Sequence, residues 1–220
     1  MTNQRAPAKI WIDVLTRITP ILAGSHITDM ILFGSQAMSV YMERALASKD
    51  IDLIAPGMTP NTLEKTRNEL KQIAAQTPTY DHLVGEYAGR TYPVSHIYLQ
   101  HMSGYPFVIE FFENFLGYKS NRLNPFLTLK NKWGLELQVL LPEAIIATRL
   151  AFRPPERVSR FNASRLNQFI KHIRHVNWKI VNTFIDEFEL RTVVGENLAG
   201  LRAKGISING TSKITQGKKV

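Results

Sequence analysis

The chain has 220 residues, 44% of them hydrophobic, no cysteine and a formal net charge of +9. That is ample apolar material for one large domain or two small ones, and it excludes disulfides, thiolate metal sites and cysteine nucleophiles. No apolar run approaches the roughly 18 residues of a membrane-spanning helix, and the first residues, MTNQRAPAKIWIDVL, lack the order of a secretory signal; a cytoplasmic protein is expected.

In chain order, Ile10, Trp11, Val14, Leu15 and Ile18 have helical spacing, with an expected stop before Pro20. ITDMILF (27–33) reads as a short strand. Gly34-Ser35 then turns the chain into QAMSVYMERAL, where Ala37, Met38, Tyr41 and Leu46 suit a helix. DIDLIA (50–55) alternates acid and aliphatic residues, the period of a strand. Pro56-Gly57 ends it, and Thr59-Pro60 opens a polar amphipathic helix to about Gln76. YPVSHIYLQH and YPFVIEFFENF form an expected hairpin about Gly104, and FLTLKNKWGLELQVLL a second one near Lys132 to Gly134. From Pro142 the pattern is helical: PEAIIATRLAF, a break at Pro154-Pro155, RFNASRLNQFIKHIRHV, then WKIVNTFIDEFELRTVV. GISINGTSKITQGKKV, which has no acid, reads as a mobile basic tail. The expected division is an α/β part over 1–141, a basic helical part over 142–203 and a basic flexible tail over 204–220.

The charge is uneven. Residues 1–148 hold 13 basic and 13 acidic side chains, whereas residues 149–220 hold 14 and 5. Such asymmetry points to a polyanionic partner for the C-terminal part, nucleic acid first among candidates, with a solvated basic surface as the plainer alternative.

The pair in DIDL carries the chemistry. Side chains two apart on a strand share a face, so Asp50 and Asp52 project together while Ile51 and Leu53 enter the core. Adjacent carboxylates repel unless something cationic lies between them, and a hard divalent ion with oxygen ligands is the simplest solution. The geometry suits a two-ion site with one bridging carboxylate. A third acid is expected from a neighbouring strand, and Glu110, flanked by Val108, Ile109, Phe111 and Phe112, is the candidate; Glu113 is the alternative, and an edge-strand acid facing water the bland reading. Strand, Gly34-Ser35 and helix start would present backbone N–H groups to an anion, with Ser35 as a cap or phosphate contact.

LFGSQAMSVYMERALASKDIDLIAP, with Glu110, resembles the signature of the polymerase-β-type nucleotidyltransferase superfamily. The SKDIDL ending and the helical C-terminal part look most like its small prokaryotic branch that includes the AbiE-type toxins. The resemblance implies a nucleotidyltransferase fold of the α/β (α+β) kind, a mixed sheet flanked by helices and followed by a helical part. It further implies that Gly34 and Ser35 hold the triphosphate of a nucleoside triphosphate. Asp50 and Asp52 would bind Mg2+, in two ions, and Glu110 would complete the site and help activate an acceptor hydroxyl. The α-phosphorus would be attacked in line, with release of pyrophosphate. The acceptor would be RNA, a tRNA end, a protein or a small molecule, and a toxin role would bring an antitoxin partner. The catalytically silent binding module and the antibiotic adenylyltransferase are the alternatives. By the same resemblance, Arg149 in LPEAIIATRLAF stands where relatives place a phosphate-facing basic residue, against an ordinary helix-surface arginine. Lys130 and Lys132 read as solvated turn residues, His172 and His175 as surface residues, and Trp11, Trp133 and Trp178 as packing residues.

Overall fold

A computed structural model describes residues 5–27, 29–87, 90–151 and 160–214, which fall into two compact units, 1–139 and 140–220. Pro154-Pro155 and residues 215–220 lie outside the described residues. Among the described residues no helix is long and apolar enough to cross a membrane.

The first unit begins with helix α1 (Ala8–Gly24), which buries Ile10, Trp11, Val14, Leu15, Ile18 and Leu22 along one stripe. Pro20 sits inside the helix rather than ending it. Its side is exposed, so the Thr16 carbonyl that it leaves without a donor can turn to water, while burial of Leu22 holds the last turn in place. The strands are β1 (Ile31–Leu32), β2 (Asp50–Ile54), β3 (Thr79–Tyr87), β4 (Arg90–Gln100), β5 (Pro106–Phe112), β6 (Leu127–Lys132) and β7 (Leu135–Leu140). They form one mixed seven-stranded sheet in the order β3-β4-β5-β2-β1-β7-β6. Strand β1 runs antiparallel to β2 and parallel to β7, and β2 runs parallel to β5. Helices α2 (Gly34–Tyr41) and α3 (Pro60–Leu70) complete the unit; Thr59 caps α3 by accepting the Thr62 N–H at 3.1 Å, with Pro60 at the first position.

Both hairpins lie where the turn residues put them. Three other elements differ from expectation. Helix α2 stops at Tyr41, and Leu46 lies beyond it, its carbonyl accepting the indole N–H of Trp11 at 2.9 Å. Helix α3 gives way at Leu70 to a single 3-10 turn, Lys71–Ile73. Strand β3 has no counterpart in the sequence reading, because this edge strand is exposed or half-buried along its length and has no apolar face. Trp11 and Trp133 do pack together, edge to face, with ring centres 4.9 Å apart.

The second unit contains α4 (Pro142–Ala151), α5 (Arg160–Ile173), α6 (Trp178–Glu187) and α7 (Arg191–Ala203). WKIVNTFIDEFELRTVV is two helices, not one. Glu189 adopts φ 53°, and the Leu190 N–H reaches back to the Ile185 carbonyl at 2.8 Å, a left-handed stop that keeps Phe188 and Leu190 buried. Buried Asn197 on α7 donates to the Leu150 and Ala151 carbonyls at the end of α4, at 2.7 and 3.2 Å. Asn197→Ala should cost about 2 kcal/mol by stripping buried carbonyls of their donor, read as a lowered denaturant midpoint at unchanged slope.

Residues 204–214, expected to begin a flexible tail, are packed instead. Ile208 and Thr211 are buried, and two asparagines hold the segment. Asn167 donates to the Ser207 carbonyl at 2.8 Å and accepts from the Asn209 N–H at 2.7 Å. Asn182 bridges the Trp178 and Lys213 carbonyls, at 2.8 and 3.1 Å. Low hydrophobicity hid these contacts from the sequence reading, since the segment is fastened mainly by hydrogen bonds.

Candidate active site

The first unit's sheet sets its acids by register. Asp52 on β2 stands opposite Glu110 on β5, Glu110 opposite His96 on β4, and His96 opposite Asp81 on β3. One row of polar side chains therefore crosses four adjacent strands. Asp50, two residues before Asp52, shares that face, while Ile51 and Leu53 are fully buried on the other. The strand pattern predicted from DIDL is thus realised with its acids together.

Each acid has a partner. Asp52 and Glu110 lie side by side on neighbouring strands, close enough for their carboxyls to interact directly. Burial pushes the Glu110 carboxyl up from its ordinary value; the Asp52 bond opposes this, the Asp50 charge adds to it and His96 opposes it. The Asp50 carboxylate accepts the Ser48 hydroxyl at 3.0 Å, and Ser48 pairs with Ser35 at 2.9 Å. The Gln36 side chain donates to the Asp50 carbonyl. On the far side His96 Nδ1 and the Tyr98 hydroxyl both bond Asp81, each at 2.9 Å, leaving His96 Nε2 3.7 Å from Glu110.

Gly34 joins the helix start to these acids. It opens α2 with φ +68°, and a Cβ built on it would lie 1.8 Å from Asp52 Oδ2. Only glycine fits: the conformation is left-handed, and the space of a side chain is already taken by the carboxylate. Ser35, expected as the helix cap, is not one. Phe33 occupies that position, and Ser35 is buried within the helix with its hydroxyl turned to Ser48. The backbone N–H groups of the first turn still lack intrahelical acceptors, and the helix field there favours an anion.

Glu113 is occupied elsewhere, its two carboxylate oxygens accepting the Gly57 N–H at 3.0 and 3.1 Å. Arg149 is half-buried in the last turn of α4, in the second unit. Lys130 lies 5.5 Å from the Tyr41 ring centre and Lys132 donates to the Met42 carbonyl at 3.4 Å. His96, Tyr98, Asp81 and Ser48 were missed in the sequence. Only the parity of His96 within its strand, had β4 and β5 been aligned, could have flagged it.

A cavity of about 720 Å³ opens beside Asp50 and Glu110, lined among others by Lys49, Thr79, Tyr98, Gln100 and Val108. Its size is that of a small-molecule site. The three acids offer a hard cation oxygen donors only, so the donor set suits magnesium. As placed, the side chains do not converge: among the described residues no three His, Asp or Glu form a metal-ligating group.

Glu110 gives a pH signature. Its folded pKa lies above the ordinary value of 4.5, so its contribution to stability is fully present below that pH and is lost as pH rises through the folded value. Glu110→Gln cannot ionise and keeps a donor towards Asp52. Its melting temperature should exceed that of the wild type at pH 8, with the gap closing below about pH 4.5; parallel melting curves across that range would contradict the assignment.

Comparison with solved structures places this architecture. An antigenic nucleotidyltransferase-like protein from Paracoccidioides brasiliensis aligns over 95% of this chain and 98% of its own, at 17% identity and a TM-score of 0.50. ANT(2″)-Ia in complex with adenylyl-2″-tobramycin aligns over 83% and 99%, at 13% identity and a TM-score of 0.55. This chain has a nucleotidyltransferase fold. The solution structure of ANT(2″)-Ia aligns with it as well, over 90% of this chain and 97% of that one, at 13% identity and a TM-score of 0.52. No protein-family model and no curated protein sequence matches the chain. The nucleotidyltransferase fold is therefore carried by its mixed sheet and flanking helices rather than by sequence identity.

Proposed function

We propose that this protein transfers a nucleoside monophosphate from a nucleoside triphosphate to an acceptor hydroxyl. The observation that carries the reading is the β2–β5 register, which puts Asp50, Asp52 and Glu110 on one sheet face with Gly34 pressed against the Asp52 carboxylate. Asp50, Asp52 and Glu110 would hold magnesium, as two ions, which when bound supplies charge neutralisation at the phosphates and acidifies the acceptor hydroxyl. The start of α2 at Gly34-Ser35 would receive the triphosphate on its backbone N–H groups. Glu110, on the cavity side, would take the acceptor proton as the acceptor oxygen bonds the α-phosphorus and the bond to the pyrophosphate oxygen breaks. Positioning and charge neutralisation would supply most of the rate.

The cavity beside Glu110 would take the acceptor. Its volume suits a small hydroxylated molecule, or one terminal unit of a larger one, and Tyr98, Thr79, Gln100 and Lys49 give its wall polar groups. That ANT(2″)-Ia, alike in fold, was captured with adenylyl-2″-tobramycin supports transfer to a hydroxyl. The test is incubation with labelled nucleoside triphosphates, magnesium and two acceptor sets, total RNA and hydroxylated small molecules. Label transferred to one set by the wild type confirms the reaction. No transfer to either set, with no measurable nucleotide affinity, would leave a binding fold without catalysis.

A further inference from the structure

The second unit has a cavity of its own that the transfer reading does not use. It measures about 410 Å³ and lies where the end of α5 meets the start of α6 and the 3-10 turn Thr211–Lys213. Arg174, His175, Asn177, Trp178 and Lys213 line it, and no acid does among the described residues. Arg174, His175 and Lys213 are exposed, and among the described residues neither Arg174 nor Lys213 has a carboxylate partner. Glu143, which reaches the start of α6, is buried and spent on the Asn177 backbone N–H at 3.0 Å.

This cationic pocket is built rather than accidental. Asn182 ties the Lys213 carbonyl to the Trp178 carbonyl, fixing the chain that carries the lysine beside the indole. Gly210 lets that chain come close, for a Cβ there would lie 2.2 Å from the Trp178 ring and its φ is +75°. Arg174 holds φ 60°, a backbone state that an arginine rarely adopts, and so turns the chain between α5 and α6 at the pocket's edge. Cations beside an aromatic ring, in a stretch with 14 basic and 5 acidic residues, are the elements with which proteins grip a phosphodiester chain and stack a base.

The geometry points to a binding site for single-stranded nucleic acid at Arg174, Trp178 and Lys213. Phosphates meet the two cations, and a base packs against the half-buried indole. The site goes beyond the transfer reaction and is tested without nucleotide or magnesium, so its failure and the failure of the transfer reading are separable.

The experiment titrates the full chain against a labelled single-stranded RNA of mixed sequence, about twelve nucleotides long, at several salt concentrations. Arg174→Asn suits the left-handed backbone while removing the charge, and Lys213→Ala changes an exposed side chain; Lys65→Ala, exposed on α3 of the first unit, controls for net charge. The double variant should bind about tenfold more weakly and flatten the plot of log affinity against log salt by roughly 1.4, two contacts at ~0.7 each. Lys65→Ala should match the wild type. RNA should also quench tryptophan emission; Trp178→Phe should remove that quench, whereas Trp133→Phe, at a half-buried residue of the first unit, should keep it. Absence of binding by the wild type, equal losses in Lys65→Ala and the double variant, or polyglutamate competing as well as RNA would each overturn the site, the last in favour of an acidic protein partner.

Discussion

Asp52→Asn should lower nucleotidyl transfer at least about 10²–10³-fold without loosening the fold. The substitution keeps size and shape, and the Asp52 carbonyl still accepts the Phe33 N–H at 3.1 Å, so the β1–β2 edge is unchanged. The new amide can donate to Glu110, removing part of the penalty of packing two carboxyls side by side. What disappears is one negative charge from the face that would hold a cation, and electrostatic contributions of that kind account for losses of this order. Initial rates of label transfer and a melting curve decide the matter together. Lost transfer with equal or raised melting temperature supports the site, whereas transfer within a few-fold of the wild type would remove Asp52 from it.

The central features of the site were legible because they depend on period and local turn chemistry. Acid-aliphatic alternation in DIDL can be satisfied only by a strand with one buried face, so the pairing of Asp50 with Asp52 needed no tertiary information. The choice of Glu110 over Glu113 followed from its apolar flanks, and the β2–β5 register indeed brings it opposite Asp52 while Glu113 clamps Gly57. What could not be read was anything set by pairing between distant segments. His96 and Asp81 reach the row only because β3, β4 and β5 align in one register, and β3 lacks the apolar face that would have announced it. The role of Ser35 was misread for a similar reason: a serine after glycine suggests a cap, yet its hydroxyl faces Ser48, thirteen residues away. The packed segment 204–214 was hidden because asparagine side chains, not apolar burial, do most of the fastening.

Gly34→Ala should be as damaging to transfer as loss of Asp52, and unlike that change it should also destabilise the protein. Two costs add. The residue sits at φ +68°, where any Cβ meets its own backbone at about 1–2 kcal/mol. The Cβ would also stand 1.8 Å from Asp52 Oδ2, so the carboxylate must swing away from Glu110 or the start of α2 must retreat from β2. Either movement separates the phosphate-receiving turn from the acids. Gly57→Ala supplies the comparison: its φ is +82°, but nothing lies within 4 Å of the position its Cβ would take. It should therefore pay the backbone cost of about 1–2 kcal/mol alone and keep its transfer rate. The difference between the two variants isolates the steric contact between glycine and acid. If Gly34→Ala transfers nucleotide at the Gly57→Ala rate, the helix start and the acid pair do not act as one site.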